Sequence, residues 1–296
     1  MKIIVCLKET IDTNLNLEPG LRHRVVFREG LPLVLDPDDA GALSFALGLR
    51  SRYDEIPFEI ILVSIGPGRV ERYLREGLSL GADRAARIPS EHLGQLSPQV
   101  KARLLAGVAG LYGADLVLTG ARSLDSGSGQ TGPLLAARLN FPCIIDVVKV
   151  EPEEGKPAFI VERDIGRGVR EKLRCPLPAV LAVKGEARLP YASLDKLTYG
   201  MAGEVSLLTP ADFGATPAQM ESDPLKVSGL MQPRPRTRRV ATPDSSLPAF
   251  YRTLELLKGG ISGRKGLMLQ GDSEEIADRL FNILLEEGVL KPAEGS

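Results

Sequence analysis

The sequence predicts an α/β protein, with a mostly parallel sheet, helices on both faces, and an extended C-terminal arm and helix after it. Three observations carry this prediction. Short continuous apolar runs such as Ile3-Ile-Val-Cys-Leu7 have the composition of strands covered on both faces. They alternate with segments whose apolar residues recur at helical spacing. The phrase Gly-Ala-Asp occurs at Gly81–Asp83 and again at Gly113–Asp115, each time where a helical segment gives way to an apolar run.

The elements follow in order. Ile3 to Leu7 is the first strand. The Asp36-Pro37-Asp38-Asp39 cluster suits a helix start, and Ala42, Leu43, Ala46, Leu47 and Leu49 carry that helix to about Arg50. Phe58 to Ile65 is a second buried strand. Val70, Leu74 and Leu78, four residues apart, share one face of a helix from about Arg69 to Leu80, and Arg84 to Ile88 is the strand after it. Val100, Leu104, Leu105, Val108 and Leu111 define a helix from Pro98 to Leu111, followed by the strand Leu116 to Thr119. Leu134 to Leu139 continues a helix, and Cys143 to Val148 is the next strand. Glu151 to Lys156 is a polar hairpin-like connection to the strand Ala158 to Glu162. Val169 to Leu173 pairs back across Gly166-Arg-Gly168, and Ala179 to Val183 closes this part. Repeated strand-helix alternation calls for parallel pairing with right-handed crossovers.

Beyond Gly185 the signals weaken. Arg188 to Leu194 reads as an ordered arm, and Thr209 to Leu225 is rich in Pro, Ala and Asp. Alternating prolines keep the basic Pro233–Arg239 segment out of a helix, leaving a solvated linker, a partner contact, or a nucleic-acid or phosphate contact. A last helix is capped by Asp272, with Glu275 at the capping-box position and Ile276, Leu280, Ile283 and Leu284 as its apolar stripe. That stripe covers either its own domain or another subunit. The expected organisation is a domain over residues 1–205, a linker and extension over 206–271, and a C-terminal helix over 272–291 that contacts a subunit.

Several function classes recede on composition. A formal charge of −1 gives no general attraction to nucleic acid, and no apolar run approaches the roughly 20 residues of a transmembrane segment. Cys6, Cys143 and Cys175 form no CxxC pair, and the opening MKIIVCLKETIDT has no long apolar region of a secretory signal, so a reducing, cytoplasmic setting is expected. His23 and His92 are too few for a histidine-rich metal site and leave little for a Ser-His-acid triad, so no metal and no catalytic residue is expected. There is no GxGxxG and no Walker A phrase.

What remains is Gly120–Pro133, GARSLDSGSGQTGP, at the carboxyl end of a predicted strand, where open α/β sheets bind ligands. Gly127, Gly129 and Gly132 let the backbone approach a ligand closely. Ser123, Ser126, Ser128, Gln130 and Thr131 can donate hydrogen bonds to phosphate or sugar oxygens, Arg122 can balance a phosphate, and Asp125 suits an acceptor or a cap. Amides at the start of the following helix are natural anion binders. The same composition also makes an ordinary flexible loop. Cys6 reads as a small core residue, or as one packed beside an adenine.

These stretches resemble the beta subunit of an electron transfer flavoprotein. Val5-Cys-Leu-Lys-Glu-Thr-Ile-Asp-Thr13 is similar to the family phrase VCVKQVPDT, and Asp36-Pro-Asp-Asp-Ala-Gly-Ala-Leu43 to NPYDEYAL. Val63-Ser-Ile-Gly-Pro67, Gly77-Leu-Ser-Leu-Gly-Ala-Asp-Arg84 and the Gly120–Pro133 segment, against DGDTGQVGP, extend the likeness over roughly residues 1–215. The resemblance implies a nucleotide-binding α/β domain in an electron carrier subunit rather than a self-contained enzyme. It implies AMP or FAD in this subunit and a redox FAD shared with an alpha subunit. Its donor would be a dehydrogenase or ferredoxin-type protein, its acceptor quinone-linked or other. Carried across, the family's contacts put adenosine near Cys6 and Asp36, with a further contact at Ile65. They put phosphate against Gly120, Arg122, Ser123, Asp125, Ser126, Gly127, Ser128, Gly129, Gln130 and Thr131, and make Leu194 the anchor of the acceptor-recognition arm. Three departures stand out: Glu186-Ala-Arg-Leu-Pro-Tyr191 replaces the NEPRY phrase, Gly127 replaces the second acidic residue of DGDT, and Asp36 replaces an asparagine. The alternatives are an electron-bifurcating beta subunit with its own FAD, and a nucleotide-binding enzyme or stress-type module unrelated to electron transfer.

Overall fold

In a computed structural model, which describes residues 1–14, 19–20, 25–26, 31–90, 96–185, 189–214, 245–257, 268–286 and 289, the apolar runs become neighbouring strands of one sheet. In chain order the strands are β1 (Lys2–Leu7), β2 (Glu9–Ile11), β3 (Pro19–Gly20), β4 (Val25–Val26), β5 (Leu33–Leu35), β6 (Glu59–Gly66) and β7 (Arg84–Pro89). They continue with β8 (Leu116–Gly120), β9 (Cys143–Pro152), β10 (Ala158–Gly166), β11 (Val169–Pro176), β12 (Ala179–Val183) and β13 (Ser206–Leu207). The helices among them are α1 (Pro37–Arg52), α2 (Glu71–Leu80), α3 (Pro98–Tyr112), α4 (Thr131–Leu139) and α5 (Leu194–Met201). His23, His92, Arg188 and the Pro233–Arg239 segment lie outside the described residues. The chain divides into two units, Met1–Gln232 and Pro233–Ser296.

The main sheet has the order β11-β10-β9-β12-β8-β1-β6-β7-β13. Every pairing from β9 to β13 is parallel, and β10 and β11 add an antiparallel extension at one edge. β1 is central, with Ile3 beside Ile60 of β6 and Leu116 of β8. Side chains alternate across the sheet, so each strand feeds two cores. Ile3, Val5 and Leu7 pack with Leu43, Ala46 and Leu49 of α1 and Leu74 of α2. Ile4 and Cys6 pack on the other face with Val100, Leu104 and Val108 of α3 and Leu135 of α4. Each such aliphatic side chain contributes about 1.5 to 3 kcal/mol by leaving water, so the continuous apolar run is what a two-sided strand requires.

The repeated Gly-Ala-Asp phrase does two jobs. Gly81 and Gly113 end α2 and α3, after which Ala82 N donates to Gly77 O and Ala114 N to Ala109 O, both at 3.0 Å. Each carboxylate then clips a neighbouring strand: Asp83 Oδ2 accepts from Ile60 N at 2.7 Å, and Asp115 Oδ2 from Lys2 N at 2.7 Å. Those amides lie at or beside the first residue of β6 and β1, where a strand otherwise has no ladder partner.

The structure lengthens some predicted elements. α4 starts at Thr131 rather than Leu134, β9 runs to Pro152 rather than Val148, and β10 and β11 reach Gly166 and Pro176. The added residues mix charged ones with isolated buried ones such as Val150 and Cys175, and ion pairs such as Arg163 Nε to Glu171 Oε2 at 2.7 Å and Lys172 Nζ to Glu162 Oε1 at 3.3 Å lace the hairpin. They carry no apolar run to read. α5 occupies a segment read only as the end of an arm; Ser193 Oγ caps it by accepting from Lys196 N at 3.5 Å, and it packs on α2. In the second unit Asp272 Oδ1 accepts from Glu274 N at 3.1 Å and Glu275 N at 2.9 Å, starting the expected helix Ser273–Glu286. A helix over Ala249–Leu257 lies in the segment read as linker and extension. Among the described residues no helix is long and apolar enough to cross a membrane.

Candidate functional site

The chain leaves β1 through α1 to reach β6 on one side, and later leaves β7 through α3 to reach β8 on the other. α1 and α3 therefore cover opposite faces, and a crevice opens at the carboxyl ends of β1 and β8, where the strand order reverses. A cleft of about 520 Å³ lies there. Its apolar wall is Cys6, Val63, Ile65 and Leu105, and the rest is the ends of β1 and β8, the first turn of α3, and the loop from Gly120 to Thr131.

Most of the residues singled out in the sequence meet in this cleft. Cys6, Asp36 and Ile65 line it from the strands and the start of α1. Gly120, Arg122, Ser123, Ser126, Ser128, Gly129, Gln130 and Thr131 line it from the loop. Asp125 and Gly127 do not face it: Asp125 pairs with Lys8, and Gly127 N donates to Ser123 O at 2.8 Å to close a turn inside the loop. Gly127 and Gly129 hold φ of 59° and 61°, a conformation that strains any L side chain, and a Cβ on Gly129 would also crowd Ala121 O at 3.2 Å. Leu194, the first residue of α5, is 77% exposed and lies apart from the cleft.

The loop is held by three carboxylates at the start of α1. Asp36 caps the helix, its Oδ1 accepting from Asp38 N at 3.1 Å, while its Oδ2 accepts from Leu124 N at 2.9 Å. Asp38 Oδ2 accepts from Arg122 N at 2.9 Å and its Oδ1 from Gly185 N at 2.7 Å. Asp39 Oδ1 accepts from Gly120 N at 2.7 Å, which fixes the end of β8 against the first turn of α1. The amides of residues 120, 122 and 124 thus alternate onto carboxylates 39, 38 and 36. Burial pushes the Asp36 carboxyl up against the opposing pull of the Leu124 and Asp38 amides. Burial, then the Asp36 charge, pushes Asp39 well above the usual carboxylate range, with the Gly120 amide and Lys8 opposing. Asp36 stood out in the sequence as a ligand contact; Asp38 and Asp39 stood out only as a helix start, because their partners are 81 to 147 positions away, and no local pattern encodes that.

The other features suit a bound anion. Gln130 gives α4 no side-chain cap, leaving the first-turn amides directed at the cleft end of the loop. Thr119 lines the cleft, is 3% exposed, and its Oγ1 has no partner among the described residues. Asp125 is pushed up by burial, but hydrogen bonds from Lys8, Ser123 and the Ser126 amide bring it below the usual range, so it is ionised beside Lys8. Burial, then the Asp39 charge, pushes the Cys6 thiol far up, which makes it a neutral packing surface rather than a nucleophile. The arrangement can bind and orient; among the described residues the cleft holds no nucleophile-base pair. Lys8, Thr119, Asp39 and Lys101 are the lining residues that sequence reasoning missed. Lys8 and Thr119 each end a strand run that the sequence did disclose, whereas Lys101 is hidden among the polar positions of a helix.

Comparisons with known proteins show the family. The family model of the electron transfer flavoprotein domain matches residues 24–212. The chain belongs to the electron transfer flavoprotein beta-subunit family. It is 30% identical over 265 residues to the electron transfer flavoprotein subunit beta of Thermoanaerobacterium thermosaccharolyticum, covering 88% of this chain and 94% of that protein. It is 33% identical over 221 residues to the caffeyl-CoA reductase-Etf complex subunit CarD of Acetobacterium woodii, covering 73% of this chain and 81% of the relative. The human electron transfer flavoprotein subunit beta is 30% identical over 217 residues, covering 72% and 83%. Membership of this family gives the chain a role in electron transfer.

Proposed function

We propose that the chain is the nucleotide-holding subunit of a heterodimeric electron carrier, with AMP or FAD seated in the cleft at the ends of β1 and β8. The observation that carries this reading is the orphaned, buried Thr119 Oγ1 beside an uncapped helix start and a loop whose left-handed Gly129 backbone disfavours any side chain. A volume of about 520 Å³ falls within the range of small-molecule sites. Cys6, Val63, Ile65 and Leu105 would pack the adenine, and Ser126, Ser128, Gly129, Gln130 and Thr131 would hold phosphate oxygens. When bound, a flavin supplies the one- and two-electron chemistry; the chain's own groups bind, orient and exclude water. Domain 1–205 would carry the cleft, the basic segment after 206 would link it onward, and the helix beginning at Ser273 would bind an alpha subunit that shares the redox FAD. A flavin shared across that contact would receive electrons from a dehydrogenase or ferredoxin-type donor and pass them to a quinone-linked or other acceptor. Likeness to a subunit of a caffeyl-CoA reductase-Etf complex favours an acyl-CoA reductase as one redox partner. In a second reading this subunit carries an FAD of its own.

Extraction of small molecules from the purified complex, with flavin and AMP counted per heterodimer, separates the readings. One flavin with AMP supports a structural nucleotide; two flavins without AMP support the second reading. A complex containing neither would sink both.

A further inference from the structure

Lys101 lines the cleft from the inner face of α3, one turn from Ser97 and one from Leu105, which line it too. The other cations at the cleft are engaged. Lys8 pairs with Asp125, and Arg122, with a side chain 67% exposed, leans toward Asp146 at 3.8 Å. The Lys101 side chain makes no hydrogen bond or ion pair among the described residues; its backbone amide donates to Ser97 O at 3.1 Å within the start of α3. Its ammonium is partly withdrawn from water, so burial and then the Lys8 charge lower its pKa, with Asp125 opposing. An unpaired cation held in that position keeps a cost that an incoming anion removes. The same cleft is lined by Thr119, whose Oγ1 is orphaned, and by the uncapped start of α4, and both have the same preference for an oxyanion.

We infer that Lys101 is the side-chain cation that recognises the phosphate of the bound nucleotide, so that the cleft selects phosphorylated over unphosphorylated adenosine. This rests on the nucleotide reading above and adds the residue that sets its selectivity. Lys101 sits on α3, outside the glycine-rich loop, and it compensates in charge for a loop whose single carboxylate, Asp125, already occupies Lys8.

The test uses the full-length chain, stripped of nucleotide and titrated calorimetrically with AMP and with adenosine. Lys101→Met keeps the apolar stem and removes the charge. Loss of one charge-assisted contact should weaken AMP by about 10- to 100-fold, leave adenosine affinity as in the unaltered chain, and be largely restored in Lys101→Arg. AMP affinity within twofold of the unaltered chain would overturn the assignment, and so would equal weakening of AMP and adenosine, which marks a structural role. Titration with FAD against adenosine reads the same contrast in a chain that takes the dinucleotide. If the unaltered chain binds neither AMP nor FAD, the nucleotide reading itself fails, and Lys101 with it. Circular dichroism and melting of each variant separate a folding defect from lost recognition, and Lys101→Gln gives a second charge-free side chain should the methionine variant not fold.

Discussion

The two edges of the parallel sheet differ more in polarity than in shape. At the amino ends of the strands lies a cavity of about 990 Å³, lined by Met1, Tyr53, Asp115, Phe159 and the Glu153–Pro157 turn, against about 520 Å³ at the carboxyl ends. The larger space is bounded by the C-terminal end of α1 and by carboxylates including Glu55, Asp115, Glu153 and Glu154, so it presents negative charge and the negative end of a helix dipole. The smaller one receives the N-termini of α3 and α4, which sit with Lys8 and Lys101. Strand direction alone sorts these ends, because every right-handed crossover returns a helix with its N-terminus at the carboxyl edge. Volume is a poor guide to where an anionic ligand sits; the direction of the backbone dipoles decides.

A matched pair of glycine substitutions is the strongest way to break this comparison. Gly129 and Gly155 hold similar backbone conformations, φ 61° and 68°, one at each edge. Either valine substitution forces an L side chain into the left-handed region, at about 1 to 2 kcal/mol. Only Gly129→Val also drives a Cβ against Ala121 O, whereas at Gly155 nothing lies within 4 Å. Gly129→Val should strip the purified protein of most of its nucleotide, and Gly155→Val should lower the melting temperature while leaving nucleotide content intact. Equal nucleotide content in the two variants would remove the cleft assignment.

Next in size are two carboxylates that clip amides at opposite edges. Asp36→Ala removes the α1 cap and the tether on Leu124 together, an expected loss of about 2 kcal/mol, and frees the loop to weaken nucleotide binding. Asp115→Ala removes the acceptor for Lys2 N at 2.7 Å, an expected loss of about 1 kcal/mol with nucleotide binding unchanged. Urea denaturation paired with nucleotide titration measures both.

A smaller effect comes from Asp39, and its sign is fixed by linkage. Its folded-state pKa is raised, so in the pH range between the ordinary carboxylate value and the raised one the folded chain binds more protons than the unfolded chain. Stability from this group therefore increases as pH falls through that range and is reduced as pH rises through it. Asp39→Asn keeps an oxygen that accepts from Gly120 N and removes the charge. It should match or exceed the original chain in stability at neutral pH, with the difference shrinking on acidification. Denaturation curves at several pH values show this, and a variant that gains stability relative to the original chain as pH falls would refute it.

The same contrast explains how much could be read from the sequence. The parallel half was legible because a strand buried on both faces must be apolar throughout, so Ile3–Leu7 and Ala179–Val183 announce themselves. The Gly120–Thr131 loop was legible because glycines and hydroxyls cluster where a strand ends. β10 and β11 were only partly so, since an edge hairpin stabilised by Arg163 with Glu171 and Lys172 with Glu162 leaves no periodic apolar trace. The braces of Asp38 on Arg122 N and Gly185 N, and of Asp39 on Gly120 N, were not legible at all. They join segments brought together only by the sheet order, and a capping sequence looks the same whether or not its spare oxygens reach a distant loop.

Leu194 tests a region that belongs to neither edge. It opens α5, which packs on α2 through the close approach of Gly200 to Ser79, while Leu194 itself is 77% exposed beside Leu197, Tyr199 and Met201, which are also exposed. A side chain so exposed contributes little to folding, so Leu194→Glu should change stability by less than about 0.5 kcal/mol and leave nucleotide content unchanged. If this leucine anchors a redox partner, the added charge must instead be desolvated at that contact, and reduction of the acceptor by the complex should slow with its half-saturation concentration raised. Salt should not restore the rate, because the penalty is lost apolar burial rather than long-range repulsion. Unchanged acceptor kinetics would move the recognition surface off α5.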